Sequence, residues 1–287
     1  MKRALAAIGL LGAVLGAGAA PQRHVVVITF DGLRPDAIAA APARQVAALA
    51  AAGRSTLAAR AAAPPETLPN HISMATGLSP AGHGVTTNRE LAHPLGRPTL
   101  FTAVREAGGR TALYYGKAKL AVLAPVAGAD VQHGPAPGDT RWRDGASASL
   151  AERFAADFAR ERFALAWIHL REPDLAGHKS GWMSPDYLAA VREADAALGV
   201  IVGAIDASGL PTTVILTADH GGEGTQHWGR QAHDWLVPWI CAGRGIAPGE
   251  LGAAVRTLDV AATALAVLGL PALPGNEGQV VSACLAN

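Results

Sequence analysis

Three hydrophobic runs in this chain end on a carboxylate. Thr213 to Ala218 is apolar and β-branched and stops on Asp219-His220, followed by Gly221-Gly222. Val25 to Phe30 delivers Asp31, and Phe163 to Leu170 leads through Arg171-Glu172-Pro173 to Asp174, with His178 four residues on. Carboxylate and imidazole groups are oxygen and nitrogen ligands for a divalent metal, and a pair four apart reaches one ion from either a helical turn or a tight loop. Each run has the composition of a buried strand. In an open parallel sheet, ligands bind beyond the carboxyl ends of the strands, so the three acidic ends are expected to converge on one crevice. Asp31 could instead cap the helix that follows it. The glycine pair after His220 predicts a sharp turn.

A nucleophile and anion-binding groups can be placed around that crevice. Pro64-Pro65-Glu66-Thr67-Leu68-Pro69-Asn70-His71 leads into the helical pattern Ile72 to Thr76. Thr67 is therefore either an N-cap or a nucleophile whose phosphate target meets free N–H groups at the helix start. Gly77 to Asn88 is a loop by composition, and the Asn88 amide either donates to a phosphoryl oxygen or stabilises its own turn. Lys117 and Lys119 follow a strand at Thr111 to Tyr115, where they reach an anionic substrate or stay solvated. Gly224 to Trp235 is a polar loop holding His227 and His233.

The elements that must position these groups alternate. Strands are predicted at His24–Phe30, Leu57–Ala63, Thr111–Tyr115, Phe163–Leu170, Thr213–Ala218 and Leu236–Ala242. Helices are predicted at Pro42–Ala52, Phe101–Ala107, Ser149–Arg160, Ser184–Ile205 and Thr257–Leu270. Ser149–Arg160 is amphipathic with Leu150, Phe154 and Phe158 on one face, and Ser184 with Pro185 forms a helix start. Glu193 and Asp195 read as solvated or capping charges, and Gly134–Gly145 as a long loop. The alternation, with no repeat or linker, predicts one α/β domain with a largely parallel sheet.

The 287 residues, half of them apolar, suffice for a full core, and a net charge of +1 argues against a nucleic-acid-binding surface or a polybasic membrane patch. Met1-Lys2-Arg3, the apolar run Ala4 to Gly16 and Ala17-Gly18-Ala19-Ala20 form the three-part pattern of a signal peptide cleaved after Ala19 or Ala20. That predicts a periplasmic or secreted protein whose domain is 21–287. The alternative, a membrane anchor, is disfavoured because the run is short for a bilayer, and no other stretch is apolar enough to span. Cys241 and Cys284 are the only cysteines. Export permits them to pair, though spacing alone leaves this open.

The order of motifs resembles the alkaline phosphatase superfamily, and within it the type I phosphodiesterase / nucleotide pyrophosphatase family. The resemblance rests on Phe30-Asp31-Gly32-Leu33-Arg34, on Thr67 to His71 with Gly77-Leu78 and His83-Gly84-Val85 through Asn88, on Asp174 to His178, and on Asp219-His220-Gly221 with His227. It implies a three-layer sandwich around a central, mostly parallel sheet and two zinc ions, with other divalent metals possible. Asp174, His178 and His227 would hold one ion; Asp31, Asp219 and His220 would hold the other, with the oxygen of Thr67. His227 is preferred over His233 because its spacing from Pro238 is similar to that in the family. The other histidines, including His71 and His169, read as structural or surface residues.

The same resemblance implies in-line attack by Thr67, a phosphothreonine intermediate, and Asn88 donating to a non-bridging oxygen. The substrate would be a small-molecule phosphodiester or pyrophosphate. The segment Gly116 to Leu120 is also similar to one in phosphonoacetate hydrolases, so Lys117 and Lys119 point to an alternative with a carboxylated or doubly anionic substrate, or a phosphomonoester. A secreted zinc-binding protein without turnover is the alternative of a different class. Sulfatase activity is disfavoured, since no Cys/Ser-x-Pro-x-Arg context occurs.

Overall fold

The computed structural model of the protein describes residues 23–124, 129–136, 139, 145–252 and 254–286. The expected signal segment and part of the 134–145 loop lie outside the described residues. In chain order the elements are β1 (His24–Phe30), α1 (Ala37–Ala40), α2 (Arg44–Ala52), β2 (Arg54–Arg60), α3 (Thr67–Thr76), α4 (Pro80–His83), α5 (Leu100–Glu106), β3 (Thr111–Tyr114), β4 (Val131–His133), α6 (Ser147–Glu161), β5 (Leu165–Leu170), α7 (Glu172–Ser180), α8 (Pro185–Ser208), β6 (Thr212–Ala218), α9 (Ala232–Trp235), β7 (Leu236–Gly243), β8 (Gly249–Glu250) and α10 (Asp259–Val267). Among the described residues no helix is long and apolar enough to cross a membrane.

Eight strands form one sheet in the order β4-β3-β5-β1-β6-β7-β2-β8. The run β4, β3, β5, β1, β6 is parallel, with Val25 opposite both Leu165 and Thr213. Every residue of β1, β5 and β6 is buried, which accounts for their unbroken hydrophobic composition: both faces of the sheet are covered. Helix α10 packs on β1 and β6 together with α3 and α5, while α6 and α2 pack on β5 and β7 with α8. The three layers expected from the motif order are present. The sheet is mixed at one side, because β7 runs antiparallel to both β6 and β2.

Several element boundaries differ from the sequence expectation. β2 begins at Arg54 and stops at Arg60, because the N–H of Ala62 is taken by Asn70 Oδ1 at 2.7 Å and two prolines follow. α3 starts at Thr67 rather than Ile72. Pro69 lies in its first turn, where an N–H has no partner to lose, so the proline does not delay the helix. The 77–88 loop contains the short α4, capped by Ser79. α10 stops at Val267, short of the expected Leu270, where Gly269 takes a φ of +72°. Asp195 is a cap, as one reading allowed, but of a distant helix: its carboxylate accepts from Gln45 N and Val46 N at the start of α2.

Past α10 the chain forms a strap over the α3 side of the sheet. Glu277 N and Gly278 N donate to Gly77 O at the end of α3, Gln279 N to Asp259 Oδ1, and Val281 N to Thr263 Oγ1. The strap ends at Cys284, which is disulfide-bonded to Cys241 in β7.

Candidate metal centre

Because β3, β5, β1 and β6 are parallel neighbours, their carboxyl ends release four chain segments at one edge. β1 gives Asp31, β6 gives Asp219-His220, β5 leads into α7 with Asp174 and His178, and β3 gives Gly116-Lys117. α7 turns the Asp174/His178 spacing into one helical turn, with His178 Nε2 at 3.3 Å from Asp174 Oδ1. His227 joins from the loop after β6, its Nε2 at 3.2 Å from that of His178. Two groups of three result, Asp174/His178/His227 and Asp31/Asp219/His220, and in each group the ligand atoms lie within 4.8 Å of one another. His233 is not among them; it is half-exposed and faces Glu223.

The backbone around these ends requires glycine for close approach more than for turning. A Cβ on Gly221 would collide with the carbonyl of His233, and one on Gly222 with the ring of Trp182, yet neither has a positive φ. The sharp turn expected at the pair is therefore replaced by tight packing. Gly32, at φ +72°, does need its conformation and lies against Asp174.

The donor set fits a cation. Each imidazole spends Nδ1 on a backbone carbonyl: His178 on Thr225 O at 3.0 Å, His220 on Gly221 O at 2.7 Å and His227 on Pro65 O at 2.8 Å. That fixes the tautomer and turns three Nε2 lone pairs inward. On the carboxylates, Asp31 Oδ1, Asp174 Oδ1 and Asp219 Oδ2 are buried with no hydrogen-bond donor. Buried anionic oxygens without donors, facing imidazole lone pairs, are expensive unless positive charge is supplied.

The electrostatics point the same way. Burial raises Asp219, and the neighbouring Asp31 charge adds to it, so its carboxyl stands well above the ordinary range. Burial also works against ionised Asp31, but Lys117 and His169 more than offset it and hold Asp31 well below that range. For His178, the adjacent Asp174 carboxylate raises the pKa by favouring the protonated ring, whereas burial lowers His220 and takes His227 to about 4. Three carboxylates thus share too little positive charge for all of them to ionise.

The remaining site residues fall into place around the two groups. Thr67 is the first residue of α3 and buried, and its hydroxyl does not cap the helix; its Oγ1 is 3.4 Å from His220 Nε2. Asn88 Oδ1 accepts from Leu68 N at 2.8 Å, which leaves the amide Nδ2 as a donor beside the start of α3. Lys117 is not a surface charge: its Nζ is 2.6 Å from Asp31 Oδ2 and 2.5 Å from Asp174 Oδ2. Lys119 lines a cleft of about 450 Å³ with Leu91, Tyr115, Val122 and Gln132.

Three residues in the site carried no functional expectation. His169 Nδ1 accepts from Gly116 N, so its proton is on Nε2, which donates to Asp31 Oδ2 at 2.8 Å. His71 donates from Nδ1 to Thr67 O at 2.8 Å, and Thr29 Oγ1 lies 3.1 Å from its Nε2. Trp182 donates to Gly32 O and sets its ring against His178 and His227. A histidine at the second-last position of a strand that leads to candidate ligands was the available signal for His169. Trp182, four residues past His178, offered none.

Comparison with known proteins places this geometry in a family. A model of the type I phosphodiesterase / nucleotide pyrophosphatase family matches residues 25–238. Ectonucleotide pyrophosphatase/phosphodiesterase family member 3 of Rattus norvegicus is 28% identical over 220 residues, covering 70% of this chain and 25% of its own. Venom phosphodiesterase 2 of Crotalus adamanteus is 27% identical over 182 residues, covering 57% of this chain and 22% of its own. The chain thus spans about a quarter of the length of the curated relatives it matches. Among solved structures, murine ectonucleotide pyrophosphatase / phosphodiesterase 5 matches with a TM-score of 0.73 at 15% identity, covering 89% of this chain and 97% of that one. A Vibrio parahaemolyticus protein in the alkaline phosphatase superfamily gives 0.69 at 15% identity, covering 92% and 70%. These structural likenesses are of fold, an alkaline phosphatase-like α/β sandwich. With the family model spanning β1 to β7 and every motif of the candidate centre inside it, the chain belongs to the type I phosphodiesterase / nucleotide pyrophosphatase family.

Proposed function

We propose that the protein is an exported two-zinc phosphoesterase that hydrolyses phosphodiester or pyrophosphate bonds through a phosphothreonine intermediate. The observation that carries this reading is Thr67: a buried hydroxyl at a helix start, 3.4 Å from His220, beside two ligand groups with donorless carboxylate oxygens. Asp174, His178 and His227 would hold one zinc, and Asp31, Asp219 and His220 the other with Thr67. When bound, the metals supply Lewis-acid stabilisation of charge on the phosphoryl oxygens and on the attacking and leaving oxygens.

The chain's own groups do the positioning. His71 holds the Thr67 carbonyl, so Oγ1 is presented from a fixed first turn. Thr67 Oγ1 releases its proton to solvent and bonds phosphorus as the ester oxygen departs on the opposite side and is protonated by solvent; water then adds to phosphorus and breaks the Thr67 ester bond, which releases the phosphate product and regenerates the hydroxyl. Asn88 Nδ2, with Lys117 and Lys119, would bind the anionic oxygens of the substrate. The murine relative in its inactive threonine-to-alanine form, solved in complex with AMP, supports a threonine-dependent reaction on nucleotides. Export is supported by the venom relatives and by the Cys241–Cys284 bond, which suits an oxidising compartment.

A second reading is favoured by one observation: the ammonium of Lys117 lies among the carboxylates instead of in solvent. It supports a substrate with an additional negative charge, such as a phosphomonoester or a carboxylated phosphonate. Bis(p-nitrophenyl) phosphate, p-nitrophenyl phosphate and phosphonoacetate assayed side by side separate the two. The diester is expected to turn over fastest, and both Thr67→Ala and chelation to lower its rate on the order of 10³-fold or more. Full activity in Thr67→Ala would refute the mechanism; a faster monoester or phosphonate would move the substrate assignment to the second reading. Zinc binding without turnover of any of them would leave a non-catalytic zinc-binding protein.

A further inference from the structure

We infer that Lys117 is a fixed cationic bridge between the two metal sites, a positioning residue that holds one carboxylate of each and turns their other oxygens toward the metals. This rests on the two-metal reading and goes beyond it, because Lys117 there serves only as a contact for substrate.

The division of oxygens carries the inference. Lys117 Nζ takes Asp31 Oδ2 from one group and Asp174 Oδ2 from the other. The donorless oxygens are the opposite ones. Asp31 Oδ1 faces His220 Nε2 at 3.5 Å, and Asp174 Oδ1 faces His178 at 3.3 Å, His220 at 3.7 Å and His227 at 3.9 Å. Ammonium and metals therefore call on different atoms of the same carboxylates. A cation merely standing in for a metal would lie among the imidazole nitrogens and take the inward oxygens.

The lysine is also anchored from behind. Gly116 N donates to His169 Nδ1, His169 Nε2 donates to Asp31 Oδ2, and Asp31 Oδ2 receives Lys117 Nζ, which closes a ring through the chain. On the other side, Arg171 donates to Gly116 O at 2.8 Å, and a Cβ on Gly116 would run into the Arg171 stem, so only glycine lets that clamp form. Two of the three ammonium donors are used on Asp31 and Asp174, and the third remains for a substrate oxygen. Fixing the orientation of ligating carboxylates is worth about 10- to 100-fold in metal affinity where such partners have been removed in other metal sites.

Zinc titration of the full chain against a chromophoric chelator tests this, with wild type, Lys117→Met and Lys117→Arg. Both sites of Lys117→Met are expected to weaken, each by about 10- to 100-fold, and Lys117→Arg to recover most of the loss, since a guanidinium can also bridge two carboxylates. Equal or tighter zinc binding by Lys117→Met would overturn the bridge and leave the two-metal reading intact. Failure of wild type to bind zinc would overturn both. Should Lys117→Met not fold, amine acetylation of wild type read by mass spectrometry needs no variant. Lys117 is expected to label at least about 10-fold more slowly than the exposed Lys179 both with and without zinc. Labelling of Lys117 that rises to the rate of Lys179 on adding zinc would show that metal displaces the ammonium, and the bridge would be wrong.

Discussion

His169 shows how single residues in this centre act through one another. Burial lowers its pKa, and the N–H of Gly116 on Nδ1 leaves the proton on Nε2, so a neutral ring donates to Asp31 while Oδ1 of that carboxylate stays free. A candidate ligand is thus oriented by a group that belongs to neither candidate metal group. Replacing the ring by phenyl keeps most of the buried volume and deletes only the donor. His169→Phe is expected to weaken zinc binding at the Asp31 site by about 10- to 100-fold. The Asp174 site, whose imidazoles are oriented by Thr225 and Pro65, should change by less than about 3-fold, well below that range. Site-resolved zinc titration checks this, and equal losses at both sites would mean that the ring acts through general packing.

At the scale of elements, α3, the helix that carries Thr67, is held by α4, and that contact titrates. His83 in α4 accepts from Val85 N at Nδ1, and Nε2 donates to Pro69 O at 3.2 Å with Ser73 Oγ at 3.0 Å, so protonation would set two donors against each other at Nδ1. Burial is the main cause that lowers its pKa, from an ordinary 6.5 to about 4, and the bond to Pro69 opposes it. Between these values the unfolded chain binds the extra proton and the folded chain does not, so stability rises with pH across that window. The contribution is complete above 6.5 and declines as pH falls toward 4, by on the order of 2 kcal/mol after allowance for partial solvent access. Urea midpoints of wild type and His83→Gln at pH 7 and pH 4.5, both in chelator, isolate it. Wild type should lose more stability than the variant on acidification, and parallel losses would assign the acid sensitivity elsewhere. The short α4 that carries His83 was not legible in the sequence, where glycine and proline read as loop. The strands that deliver Asp31, Asp174 and Asp219 were, because burial on both faces of a parallel sheet imposes unbroken apolar runs.

For the whole molecule, legibility depended on whether a signal is local. Ligand types, their order and the alternation of elements are local, so the α/β sandwich and the residues that gather at its edge could be read from the chain. The antiparallel direction of β7, the capping of α2 by Asp195 and the burial of Lys117 among carboxylates are products of long-range packing, with nothing in the neighbouring residues to mark them. The Cys241–Cys284 bond is of that second kind, and it closes the strap that reaches back to α3. Backbone N–H groups of the strap donate to the Gly77 carbonyl at the end of α3 and to the Asp259 and Thr263 side chains of α10, so freeing it exposes polar groups and apolar surface together. A loop of 43 residues is closed by the bond, and removing such a constraint costs about 2–4 kcal/mol. The double variant Cys241→Ser/Cys284→Ser is therefore expected to unfold at lower denaturant by that amount. It should retain zinc binding under native conditions, because among the described residues no candidate ligand lies on the strap or on β7. Chemical denaturation with and without zinc measures both quantities. An unchanged midpoint would mean that hydrogen bonds alone hold the strap, whereas loss of zinc binding in the folded variant would tie the C-terminal segment directly to the assembly of the centre.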